Sequence, residues 1–306
     1  MTPKERMTAA IRHESPDTVP IAPYLIGDYT TKLMTDEGLD PSDSTEFNRR
    51  AAESYREHGC DWMLLFFGED YVPVDVIEKN RDEYFLARGC CAPYTRGKAT
   101  SDTEDFLVAL KKEPARIKDE CEINLEKCLK EAQSAAKLGI DGIWLEEGLC
   151  SSDIISPDDY QEFAFPYEKR LIDAIEEAGL VAMLYFCGDI MPLLPSIKDL
   201  APDVLSVEES KKNFELDVVE IRKELGKEIC LFGNLDAVGL LLKGDRAGIE
   251  AELKRQMQCA DADGGFIVGT GSPVAYATAP ETVDYFVETA LKSGRERLNC
   301  SGVRSQ

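Results

Sequence analysis

Five stretches of this chain run from apolar residues straight into polar ones, and the polar ends carry acids, hydroxyls and a thiol. They read Trp144-Leu145-Glu146-Glu147-Gly148, Leu184-Tyr185-Phe186-Cys187-Gly188-Asp189, Val207-Glu208-Glu209, Phe232-Gly233-Asn234-Leu235-Asp236 and Gly269-Thr270-Gly271-Ser272. As the ends of neighbouring strands, these residues converge on one mouth. Carboxylates gathered in that way repel one another unless a cation, a substrate donor or a raised pKa relieves them, which is the setting of general acid–base chemistry. The catalytic candidates are Glu147, Tyr185 and Asp236, with Tyr185 orienting substrate and Glu147 or Asp236 handling the proton. Glu146, Glu208, Asn234 and Ser272 are the candidates for holding substrate.

Each candidate also has a plainer reading. Glu146 and Glu147 are adjacent, so strand alternation turns only one of them toward a barrel axis. Asp189 and Asp236 precede helices, where an acid equally serves as an N-cap. Cys187 belongs to a type that is more often structural than catalytic, although the Gly-Asp after it places it in a strand-to-helix loop.

Composition removes several function classes. The 306 residues carry a net charge of −23, the wrong sign for a nucleic-acid partner. No apolar run is long enough for a membrane span, and Met1-Thr2-Pro3-Lys4-Glu5-Arg6 lacks the apolar core of a signal peptide, so the chain reads as cytoplasmic. The 2 histidines, His13 and His58, lie outside the strand ends, which argues against Ser-His-Asp or Cys-His catalysis. No GxxxxGK[ST] or GxGxxG loop is present. The 10 cysteines are dispersed without a CxxC, as expected of buried thiols in a reducing compartment.

The elements that must position these residues alternate. Strand-like runs cover Thr18–Leu25, Asp61–Phe67, Gly142–Leu145, Val181–Phe186, Val204–Val207, Glu228–Phe232 and Phe266–Val268, with an eighth hidden in a poorly patterned region. Helical patterns cover Glu46–His58, Glu122–Leu138, Pro157–Ala178, Leu216–Leu225 and Thr278–Leu291. Strands separated by helices imply a parallel sheet, here an α/β fold consisting of a single (β/α)8 TIM barrel over residues 1–306. An open doubly wound sheet is the alternative. Asp75–Lys98 reads as a β-hairpin excursion over the mouth, and Asn299–Gln306 as a loose tail.

The opening from Met1 to His13, followed by Pro16-Asp17-Thr18-Val19-Pro20, resembles the start of the uroporphyrinogen decarboxylase superfamily. Phe232-Gly233-Asn234-Leu235-Asp236 resembles its GN-(L/I)-D segment, and Gly269-Thr270-Gly271-Ser272-Pro273 with Ala279-Pro280-Glu281 its closing strand and helix. The resemblance implies a (β/α)8 barrel and a homodimer. True decarboxylases carry an RQAGRY-type motif near the first strand, where this chain has Ile21-Ala22-Pro23-Tyr24-Leu25-Ile26-Gly27-Asp28-Tyr29 without arginine. The other branch is similar at the fourth strand, where coenzyme M methyltransferases read H-x-C-G and this chain reads Tyr185-Phe186-Cys187-Gly188. Their second zinc-binding cysteine falls at Ser272 here, so of the three ligands only Cys187 keeps its type.

That branch implies a corrinoid protein as partner, with the corrinoid as cofactor, and zinc as a second cofactor. A rearranged zinc site would draw on Glu147 or Glu146, Cys187 and Glu208, with Cys150 close in sequence. Glu147 and Glu162 also have the spacing of some ether-demethylating relatives. The leading expectation is a methyltransferase that moves a methyl group between a small methoxy or methylamine substrate and a corrinoid protein. The alternatives are uroporphyrinogen decarboxylation and a non-catalytic barrel that binds a small molecule.

Overall fold

A computed structural model describes residues 1–68, 71–97 and 103–302, with the side chains of 299–302 left aside. One parallel sheet of seven strands forms, in the order β1 (Trp62–Leu65), β2 (Phe85–Cys91), β3 (Gly142–Glu147), β4 (Val181–Phe186), β5 (Val204–Val207), β6 (Cys230–Phe232) and β7 (Phe266–Ile267). Each strand pairs with the next in sequence, so the crossovers between them, most of them helical, all proceed in one direction and the sheet curls. No described helix is long and apolar enough to cross a membrane.

The strand expected within Thr18–Leu25 is not a regular one. Ile21 makes a parallel bridge to Val268, the Ala22 N–H donates to the Val268 carbonyl at 2.7 Å, and the Asp61 N–H donates to the Ile21 carbonyl at 2.8 Å. The segment therefore touches both edges of the sheet. Pro20 and Pro23 have no N–H and interrupt the ladder on either side, which limits the pairing to a bridge.

The expected hairpin over Asp75–Lys98 is also replaced. Val74–Asn80 is a helix, Phe85–Cys91 is strand β2 between β1 and β3, and Pro93–Gly97 is a short helix; Lys98 lies outside the described residues. Arg88 and the pair Cys90-Cys91 hid this strand, because they break the apolar run that marks a strand buried on both faces. Gly89 has a packing reason: a Cβ there would meet the Phe66 ring at 2.1 Å.

The helices follow their sequence signals more closely. Thr2 and Glu5 form a reciprocal capping box on Pro3–Ile11, and Asp43 caps Ser44–Glu57. Pro114–Leu138 starts earlier than its pattern suggested and stops at Gly139, which adopts a left-handed conformation. The single helix expected over Pro157–Ala178 is two, Pro157–Phe163 and Phe165–Glu177, broken where Pro166 cannot donate to the preceding turn. The last helix, Pro280–Gly302, extends well into the stretch read as a tail.

Large rings fill the space inside the curl. Trp62, Trp144 and Phe232 lie with centroids 5.1 to 5.2 Å apart in tilted and edge-on contacts. They form a floor, and residues two positions further along the strands, such as Glu146 after Trp144, stand above it.

Candidate active site

Alternation along β3 decides which of the two adjacent acids faces the mouth. Trp144 points into the curl, so Glu146, two residues on, does too, and Glu147 points outward to the helices. Glu146 accepts a hydrogen bond from the Tyr24 hydroxyl at 2.6 Å. Burial pushes its carboxyl above the usual range, opposed by the bond from Tyr24. Tyr24 itself is ringed by Phe66 at 6.4 Å, Trp144 at 6.0 Å and Tyr185 at 6.1 Å, and Tyr185 stacks on Trp144 at 5.1 Å. A half-buried carboxylate thus bonds the hydroxyl of a tyrosine that belongs to an aromatic cluster.

The rest of the mouth comes from the ends of β4 and β5 and from the loop after β7. The Tyr185 hydroxyl donates to the Gly271 carbonyl at 2.8 Å. Burial pushes the Cys187 thiol up to about 12, helped by the nearby Glu208 charge. Glu208 accepts from the Gly188 N–H at 3.0 Å and pairs with the Lys211 ammonium at 3.0 Å. Lys211 also pairs with buried Glu209, and the Ser272 hydroxyl donates to Glu209 at 3.0 Å. Burial lowers the affinity of Lys211 for its proton, but bonds to Glu209 and Glu208 outweigh it and hold the ammonium above its usual range.

Tyr185, Glu146, Glu208, Ser272 and Cys187 therefore share one mouth. Three other strand-end residues are held in hydrogen bonds of their own. Asn234 is fully engaged: its amide donates to the carbonyls of Glu208 and Leu216 at 3.1 and 3.0 Å and accepts from Gln256 at 3.2 Å. Asp236 accepts from the N–H groups of Val238 and Gly239 as the cap of Ala237–Leu241, the plainer of its two readings. Asp189 likewise accepts from the Met191 N–H at 3.1 Å.

Glu147 is the largest displacement from expectation. It is fully buried behind β3, beside Thr95, Cys150 and Glu168. The metal set of Glu147, Cys187 and Glu208 is consequently not assembled. Among the described residues, the groups whose ligand atoms lie within 4.8 Å of one another are Glu147–Cys150–Glu168 and Cys90–Cys128–Glu131. Glu162 is exposed and pairs with Lys118 at 2.8 Å, away from Glu147.

Sequence reasoning missed Tyr24, Glu209, Lys211 and Glu168. Tyr24 belongs to a segment far from the other site residues in sequence, and only the curl of the sheet and the Ile21–Val268 bridge bring it to Glu146. Lys211 was legible as a cation three residues after Glu208, but nothing local shows that it turns back. The two histidines stay out of the mouth: buried His58 bonds the Tyr29 hydroxyl at 2.8 Å and Asp284 at 2.6 Å, while His13 lies against Gly265.

Comparison with known proteins gives a consistent picture. The family model described as uroporphyrinogen decarboxylase (URO-D) matches residues 90–293. The methylated-thiol–coenzyme M methyltransferase of Methanosarcina mazei is 26% identical over 205 residues, 66% of this chain and 52% of that protein. The methylcobamide:CoM methyltransferase MtaA of Methanosarcina barkeri is 24% identical, over 71% of this chain and 65% of that one. The uroporphyrinogen decarboxylase of Trichodesmium erythraeum is 31% identical over 44% of this chain and 36% of its own length. Matches thus extend over roughly a third to two thirds of these curated relatives, and over 52% of the Methanosarcina mazei enzyme. A solved methyltransferase from Methanosarcina mazei superposes with a TM-score of 0.80 at 20% identity, covering 95% of this chain and 98% of that one, which establishes the fold.

Proposed function

Because the chain belongs to the uroporphyrinogen decarboxylase family, we propose that it acts there as a methyltransferase, moving a methyl group between a small methylated substrate and a corrinoid protein. The observation that carries this reading is Glu146, a carboxylate bonded by the Tyr24 phenol rather than by a cation, with Tyr24 itself packed against Phe66, Trp144 and Tyr185. Ring faces and a carboxylate together attract a methylated ammonium group, an attraction of about 0.5–2 kcal/mol per ring contact as the site loses water. Of the methoxy and methylamine classes, the mouth favours the second.

The partner's corrinoid supplies the nucleophile that takes the methyl group. The residues of this chain then hold the substrate nitrogen near Glu146 and exclude water with the surrounding rings. A quaternary methylammonium leaves as a neutral amine that keeps the electron pair of the broken C–N bond. It needs neither a proton nor a Lewis acid. A methoxy substrate leaves as an alkoxide and does need a proton, a further reason the ionised Glu146 favours the ammonium class.

The thiol-activating zinc set implied by the resemblance does not fit the mouth. Tyr185 and Ser272 stand at the positions of its other two ligands, and Glu208 is engaged by Gly188 and Lys211. The decarboxylase reading meets a different obstacle. A polycarboxylate substrate would face Glu146, Glu208 and Glu209, while Lys211 is already bonded to two of them.

Incubating the chain with a corrinoid protein reduced to Co(I) and a panel of methylammonium and methoxy compounds tests the proposal. Methylation of the corrinoid, seen in its absorbance, is expected with a methylammonium compound. No methylation across both classes would sink the reading, and porphyrinogen turnover would replace it with the decarboxylase.

A further inference from the structure

Behind β3, on the face opposite Glu146, three potential ligands meet in a space closed to solvent. Glu147, Cys150 and Glu168 are each 0% exposed, and their ligand atoms lie within 4.8 Å of one another. The Thr95 hydroxyl donates to Glu147 Oε2 at 2.5 Å, and the Tyr160 hydroxyl donates to Glu168 Oε2 at 2.6 Å. The Cys150 thiol lies 3.3 Å from Glu147 Oε2 and 3.8 Å from Glu168 Oε1. Glu147 Oε1 has no partner at all.

The bonds to these carboxylates come from hydroxyls and a thiol; among the described residues no Lys, Arg or His is paired with either. Two neighbouring buried carboxylates do not both ionise in a low-dielectric interior without a cation between them. That cation is a proton or a metal ion. The other cluster, Cys90–Cys128–Glu131, differs on this point. Its Glu131 is bonded by Arg96 at 2.7 Å and approached by Arg88 at 3.7 Å, so positive charge already occupies the neighbourhood.

We propose that Glu147, Cys150 and Glu168 form a closed divalent-cation site, and that its two carboxylates and one thiolate take zinc. A thiolate disfavours magnesium and calcium, and a mixed oxygen–sulfur set is ordinary for zinc. Thr95 and Tyr160 orient the carboxylates, as the groups behind metal ligands commonly do. The unpartnered Glu147 oxygen is free to face the ion. The site ties the end of β3 to the loop at Cys150 and to the helix Phe165–Glu177, and so fixes the strand from which Glu146 faces the mouth. This inference is independent of the methyl-transfer reading, because the ion sits on the other side of the sheet from the substrate.

The test uses the full chain, unfolded with a chelator and refolded with Zn²⁺ or Co²⁺. One equivalent of metal retained per chain is expected, with a near-ultraviolet sulfur-to-cobalt band in the Co²⁺ form. Cys150→Ser should remove that band, and Cys187→Ala and Cys128→Ala should leave it. Refolded wild type without bound metal overturns the proposal and leaves a shared proton on the two carboxylates. A band that follows Cys187 or Cys128 instead also overturns it. If Cys150→Ser does not fold, X-ray absorption of the wild-type zinc form decides: one sulfur at about 2.3 Å with oxygen neighbours supports the site, and any other sulfur count refutes it.

Discussion

Glu146 and Glu147 are chemically identical neighbours, and the structure gives them opposite environments. Glu146 meets a phenol from an aromatic cluster at the mouth, while Glu147 is sealed against Cys150 and Glu168. The difference is one step of strand alternation. If Glu146 orients a methylammonium group, Glu146→Gln keeps the size and the Tyr24 contact but removes the charge. The expected effect is a fall in kcat/KM of about 10–100-fold for a cationic substrate, the range for loss of one desolvated charge contact. A much smaller effect would show that the charge is not read by the substrate, and steady-state kinetics on the two proteins measures it.

At the scale of elements, the loops after β4, β5, β6 and β7 divide between chemistry and construction. Cys187, Glu208 and Ser272 stay at the mouth, whereas Asp189 and Asp236 satisfy backbone N–H groups at the starts of the following turns. An acid before a helix was the signal for both readings, and capping won wherever the next N–H groups lay within reach. Asp236→Ala should therefore cost about 1 kcal/mol of stability, measured by urea unfolding, and change the methyl-transfer rate by less than about twofold. A rate loss of several orders of magnitude with stability intact would restore the proton-handling role to Asp236. The helix break at Pro166 and the pairing gap at Pro20 and Pro23 obey the same rule in reverse, because each proline removes a donor that an element required.

For the molecule as a whole, 58 acids against 35 basic residues leave a charge that repels itself across the surface. Raising the salt concentration from about 10 mM to about 500 mM shortens the screening length from roughly 30 Å to a few ångströms and should raise the Tm. Calorimetry would show it; a falling Tm would mean that the surface ion pairs, such as Arg170–Glu122, outweigh the net repulsion. If the partner is the corrinoid protein proposed above, the same charge makes a basic surface on it favourable for encounter, a steering effect that salt would weaken.

Much of this was legible from residue order alone. The alternation of apolar runs with capped amphipathic stretches specified a parallel α/β sheet, and the polar strand ends specified which edge carries the chemistry, because both follow from local backbone and side-chain physics. β2 was not legible, since Arg88, Cys90 and Cys91 hide its apolar character until helices cover it. Nor was the composition of the site. Tyr24 reaches Glu146 across 122 positions of sequence, and Lys211 turns back to two acids. Whether Glu146 or Glu147 faced the mouth depended on the register of β3, and whether Glu147 found Glu168 depended on how a helix packed behind it. Sequence determines which residues stand at strand ends; only the curling of the sheet and the docking of helices decide which of those ends meet, because contacts distant in the chain are set by packing and not by local preference.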